Sequence, residues 1–102
     1  MLKYGNLVIN PATRSITVNG QELRLTSQEG DVLFYLAANA GKTFSQRAVL
    51  AGIGSPADPK LVDVQICKAR KKIALAGFGG VLIENVWGQG YTIPKPGQKK
   101  TA

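Results

Sequence analysis

Apolar and polar residues alternate along the first quarter of the chain and then switch to helical spacing. Leu7-Val8-Ile9 is a short apolar run, and Ser15-Ile16-Thr17-Val18 and Glu22-Leu23-Arg24-Leu25 alternate as half-buried strands should. Asn10-Pro11-Ala12-Thr13 and Asn19-Gly20 supply turns between them, the second being a strong hairpin signal. With Leu2 to Tyr4, these pieces predict an antiparallel sheet of three or four strands. Thr26-Ser27-Gln28-Glu29 is a capping box: Thr26 satisfies a free amide of the first turn and Glu29 reaches back. Val32, Leu33, Leu36, Ala37 and Ala40 follow at helical spacing, and Gly41 supplies the stop. A short second helix is predicted from Ser45 as N-cap to about Ala51, with Gly52 after it and a loop over 52–59. Asp58 as N-cap and Pro59 at the first helical position open a third helix that ends near Ala76, before Gly77, Gly79 and Gly80. Leu82 to Trp87, Gly88-Gln89-Gly90 and Tyr91 to Ile93 read as strand, tight turn, strand. Pro94 and Pro96 end that hairpin, so one α+β domain over 1–95 and a disordered basic tail over 96–102 are expected.

The third helix divides cleanly when its residues are placed about 100° apart. Val62, Ile66, Ala69 and Ile73 make the buried stripe. Lys60, Val64, Cys67, Lys68 and Lys71 fall on the opposite half. Leu61, Gln65 and Lys72 lie on one flank, Asp63 and Arg70 on the other. Two features are unusual for a plain solvated face: the bias to one charge sign, and Val64 and Leu61 placed away from the core. A basic solvent face with two incidental apolar residues is the alternative. Duplex DNA accounts for both features. Lysines bond phosphates, Gln65 can pair bidentately with an adenine edge, and Val64 can touch a thymine methyl.

Charge supports that direction. The 102 residues hold 13 Lys+Arg against 6 Asp+Glu, a net charge of +7. Such a balance favours polyanionic partners. Lys60, Lys68, Arg70, Lys71 and Lys72 cluster in the third helix, and Lys95, Lys99 and Lys100 follow the hairpin. Thr43, Ser45 and Arg47, near the start of the second helix, are candidates for phosphate contacts that position the domain. Catalysis is not expected. The chain has no histidine and one cysteine, Cys67, which leaves no metal cluster, no nucleophile–base pair and no cofactor motif. Gly88-Gln89-Gly90 is not followed by a helix, so it reads as a turn rather than a phosphate loop. No apolar stretch is long enough for a membrane span or a signal core, so a cytoplasmic protein without a membrane partner is expected.

The segments GNLVINPATRSITVNGQELRLTSQEGDVLFYL, VDVQICKARKKI and IENVWGQGYTI, in that order and spacing, resemble the OmpR/PhoB-type winged-helix DNA-binding domain. This is the effector half of bacterial two-component response regulators, and the IENVWGQGY ending is most similar to that of the family's cell-cycle regulators. The resemblance implies a winged helix-turn-helix with an N-terminal antiparallel sheet, three helices and a C-terminal hairpin wing. It makes the third helix, about 59–76, the recognition helix in the major groove, with Lys60, Leu61, Val64, Gln65 and Lys68 facing the groove. Arg70 matches a backbone-contacting position, with Lys71 and Lys72 adding phosphate attraction. The wing, 82–93, would touch the adjacent backbone or minor groove through Trp87 and Gln89. The 52–59 loop matches the segment where family members can meet RNA polymerase, and a second copy can bind head-to-tail on DNA. The chain departs from the family at Cys67, often basic, at Ala69, often a large aliphatic, and at Trp87 or Gln89, where several members have arginine. Those wing departures leave the helix as the carrier of specificity, with Trp87 expected to pack on the core or to donate its indole N–H to a phosphate. No receiver-domain segment occurs within these residues. A winged-helix protein-interaction module without DNA is the competing function. Single-strand or RNA binding is a weaker one, because most of the seven aromatics lie in apolar stretches.

Overall fold

The computed structural model of the protein describes residues 1–97. Residues 98–102, which include most of the expected basic tail, lie outside the described residues. The chain runs β1 (Leu2–Tyr4), β2 (Leu7–Asn10), β3 (Ser15–Val18), β4 (Gln21–Glu22), α1 (Ser27–Ala38), β5 (Thr43–Phe44), α2 (Gln46–Ile53), α3 (Lys60–Leu75), β6 (Glu84–Val86) and β7 (Gly90–Thr92). This is the expected α+β order, with one strand, β5, that the periodicity does not predict.

Strands β1 to β4 form an antiparallel meander in chain order. The register sets Leu7 opposite Val18 and Ile9 opposite Ile16. Those four side chains fall on one face and are at most 1% exposed, which is what alternation on a half-buried sheet requires. Asn19 (φ 55°) and Gly20 (φ 79°) both take positive φ, the geometry of a type I′ hairpin turn. The sheet's inner face joins Leu33 and Leu36 of α1 and Val62, Ile66 and Ile73 of α3 in one buried cluster.

The helix caps are local and legible. The Glu29 amide donates to Thr26 Oγ1 at 3.2 Å, and the Thr26 amide donates to Glu29 Oε1 at 2.9 Å, completing the capping box. Helix α1 stops at Ala38, before Gly41, because Asn39 caps it and donates its side-chain amide to the Tyr35 carbonyl at 2.9 Å. Ser45 caps α2 by accepting from the Ala48 amide at 3.1 Å. Asp58 opens α3: its Oδ1 accepts from the Lys60 amide at 2.8 Å, and Pro59 already has helical angles.

Helix α2 corrects the expected boundary. It continues through Gly52 to Ile53 and ends at Gly54 (φ 69°), so the connection to α3 is shorter than 52–59. Gly52 sits inside the helix for a packing reason. A Cβ there would lie 2.1 Å from Tyr35 Cζ, so the missing side chain lets α1 approach α2. The hairpin strands are also shorter than 82–93; Leu82 and Ile83 precede β6 and are buried in the core.

The second sheet has the order β5-β7-β6. Thr43 pairs with Thr92 and Phe44 with Tyr91, so the wing is strapped to the chain just before α2. Gly90 makes this strap possible. Its φ is +131°, and a Cβ would lie 2.0 Å from the Phe44 carbonyl oxygen, a backbone atom that no rotamer change can move. Gly90→Ala is therefore expected to destabilise the domain by about 2–4 kcal/mol, read by thermal unfolding. Gly88→Ala, where a Cβ meets nothing within 4 Å, should carry only the positive-φ penalty of about 1–2 kcal/mol. Equal melting shifts for the two variants would refute the close-approach account.

Candidate nucleic-acid interface

One face of α3 is free of the protein. Lys60, Val64, Cys67, Lys68 and Lys71 are exposed, while Val62, Ile66, Ala69 and Ile73 are at most 4% exposed. Three lysines and no acid stand on that outward face, interleaved with Val64, which is 46% exposed, and the free thiol of Cys67. It can attract phosphates while offering a short apolar contact. Leu61 is half-buried beside it.

The two flanks of α3 are occupied by internal contacts. On one flank, Asp63 accepts from the Gln46 side-chain amide of α2 at 3.0 and 2.9 Å and from the Tyr91 hydroxyl of β7. One helical repeat along, Arg70 donates to the Ile83 carbonyl at 2.6 Å and to the Asn85 side chain of β6. Its guanidinium also lies 5.8 Å from the Tyr91 ring centroid, within cation–π range. Burial, reinforced by the Asp63 carboxylate, pushes the Tyr91 hydroxyl up to about 12, so it remains a donor. This flank ties α2, α3 and the wing together.

The other flank meets the start of α1. The Gln65 side-chain amide donates to Gln28 Oε1 at 3.3 Å, and Lys72 Nζ donates to Glu29 Oε1 at 2.6 Å. The Glu29 side chain is 2% exposed and that of Lys72 37%. Burial alone would raise the Glu29 carboxyl. The hydrogen bond from Lys72, the Thr26 amide and the Lys72 charge outweigh it and hold the pKa below the usual carboxylate value.

These contacts correct several sequence expectations. Gln65 is 4% exposed and engaged with Gln28, so it does not face the groove as a base reader. Arg70 is bonded to the Ile83 carbonyl and the Asn85 side chain, and Lys72 is paired with Glu29, so neither projects as a free phosphate contact. Trp87 does not pack on the core; it is 97% exposed at the tip of the wing. The other predicted residues stand on the surface: Thr43, Ser45 and Arg47 around the start of α2, and Gln89 in the wing turn beside Trp87. A groove of about 370 Å3 separates these two groups, lined by Ser45, Gln46, Asn85, Trp87, Gln89 and Tyr91 among others. Sequence reasoning missed Gln46, Tyr91, Asn85 and Gln28. The available signal was Asp63, a lone acid in the first turn of a basic helix, seven residues from Arg70 on the same flank.

A three-helix unit whose last helix packs beside a β-hairpin is a winged helix. The family described as "Transcriptional regulatory protein, C terminal" matches residues 20–93. The cell cycle transcriptional regulator CtrA of Caulobacter vibrioides is 35% identical over 106 aligned positions, covering 100% of this chain and 46% of CtrA. The chain thus spans less than half the length of that relative. The DNA-binding domain of the response regulator AdeR, solved in complex with an intercistronic region, superposes with a TM-score of 0.74 at 27% identity, covering 94% of this chain and 100% of that one. The RstA DNA-binding domain of Klebsiella pneumoniae, solved with the RstA box, gives 0.72 at 29% identity over 91% of this chain and 95% of that one. The chain belongs to the transcriptional regulatory protein C-terminal family, the OmpR/PhoB type of winged helix. The family is one of transcription-regulator domains, not of enzymes.

Glu29 makes acid a probe of the α1–α3 contact. Its folded carboxyl titrates below the unfolded one, so its contribution is intact above the ordinary carboxylate pKa of about 4 and disappears as pH falls through the lowered folded value. Glu29→Gln should remove about 2 kcal/mol at neutral pH and flatten the loss of stability below about pH 4. Urea unfolding at several pH values checks this, and an acid limb equally steep in the variant would contradict it.

Proposed function

We propose that the chain is a sequence-specific double-stranded DNA-binding domain acting in transcription regulation. Helix α3 enters the major groove, and the wing meets the adjacent backbone or minor groove. The outward face of α3 carries this conclusion: Lys60, Lys68 and Lys71 project with no acid among them, although the same helix is elsewhere tied down by polar contacts on both flanks. Lys60 and Lys71 serve phosphates; Lys68 and Val64, with Leu61 at the margin, face base edges. Thr43, Ser45 and Arg47 bond phosphates from the start of α2. The DNA complexes of the AdeR and RstA domains support this assignment.

The same proposal includes the partners of a regulator of this type. A second copy aligns head-to-tail on direct repeats, and RNA polymerase meets the short connection after α2, where Gly54, Pro56 and Asp58 are exposed. The working compartment is the cytoplasm. No helix among the described residues is long and apolar enough to cross a membrane.

Binding to duplexes selected from a random pool should weaken with salt, with log K falling about 3–6 units per decade if several phosphates are neutralised. Lys68→Ala should cost about 1–3 kcal/mol at particular base pairs, whereas Lys71→Ala should weaken all duplexes alike and lower the salt slope by about 1. Gln65→Ala should leave base preference unchanged. Salt-insensitive binding, or the same ranked sites in Lys68→Ala as in the parent, would overturn the proposal.

A further inference from the structure

Trp87 is the only tryptophan of the chain, and it stands almost wholly in water at 97% exposure. An indole carries a large flat apolar area with one N–H donor, and tryptophan is enriched at interfaces for that reason. The turn that carries Trp87 is braced. The turn closes with the Gln89 amide donating to the Val86 carbonyl at 2.9 Å, and Gly88 takes φ +75°. Below the turn, Gly90 lies against the Phe44 carbonyl, Tyr91 donates to Asp63, and Asn85 accepts from Arg70. The backbone turn that carries the indole is therefore braced against α2 and α3, while the side chain itself stands free in water.

The chemistry of the tip is equally restricted. Residues 85–90, NVWGQG, carry no charge. The wing tip has no cation to place in a groove narrowed by an A-tract, where arginine and lysine are favoured. It offers a flat apolar plate with one N–H donor. The minor groove presents a degenerate set of edges, so hydrogen-bond readout there is poor. Apolar side chains act there in another way, by wedging at base steps that unstack readily.

We infer that Trp87 is a specificity-determining wedge: it enters the minor groove beside the α3 site and selects for deformability of the flanking base step. This rests on the DNA-binding function proposed above and extends it. The favoured flank is a flexible TA or CA/TG step, and the disfavoured one is a stiff A-tract.

The test uses the whole chain and duplexes that share the selected core but carry either a TA step or an A-tract on the wing side. The parent chain should prefer the TA flank on the order of ten-fold, the scale of one aromatic–base contact. Trp87→Ala should lose that preference and keep the ranking of core sequences; its fold, checked by circular dichroism, should be intact because the side chain has almost no internal contacts. Trp87→Arg should move the preference toward the A-tract. Trp87 emission in the parent should be quenched in step with binding. Binding with unchanged emission, or quenching without any flank preference, would overturn the wedge while leaving DNA binding in place. Failure of the parent chain to bind any selected duplex would instead overturn the underlying function.

Discussion

Everything the surface of α3 can offer depends on that helix being gripped from both sides. The stripe of Val62, Ile66, Ala69 and Ile73 sets which side of the helix faces the core but leaves small rotations about the axis less sharply penalised, since apolar burial is non-directional. The polar flanks remove that freedom. Gln65 and Lys72 bond the first turn of α1, while Asp63 and Arg70 bond α2 and the hairpin. Each pair is spaced by two helical turns, so the grip acts at two heights along the axis. Hydrogen bonds have direction, and those made by four residues on opposite flanks leave one orientation for the lysines between.

The same arrangement revises what the charge count means. Five of the basic residues lie in α3, but Arg70 and Lys72 are neutralised or bonded internally, so three face outward. A helix that seemed basic throughout is basic on one face and structural on its flanks. That concentrates the attraction for phosphate in the arc that also holds Val64.

Much of this was legible in the sequence, and the parts that were not share a cause. The capping box, the Asn19-Gly20 turn and the α3 stripe are local codes, set by residues close to one another in the chain. The failures are non-local. Gly52 reads as a helix stop until Tyr35, seventeen positions earlier, is seen to need the space. Strand β5 has two residues and no periodicity; it exists because the hairpin offers an edge. Gln65 looks like a reader until Gln28 covers it. Trp87 looks like core because tryptophan usually is, yet the turn that carries it projects beyond any apolar partner.

The pairing of Thr43 with Thr92 has a consequence for how the molecule opens. It closes residues 43–92 into a ring: the chain leaves β5, passes through α2, α3 and the hairpin, and returns to hydrogen-bond the strand it left. A hairpin at the end of a domain would ordinarily fray first. Here it cannot peel away without freeing the residue that precedes α2's cap and the contacts of Asp63. Local opening of the wing is thereby coupled to opening of the helix-turn-helix. The N-terminal meander lies outside the ring in sequence but shares its core, with Leu7, Ile9, Ile16 and Val18 packed in the same cluster as Val62, Ile66 and Ile73.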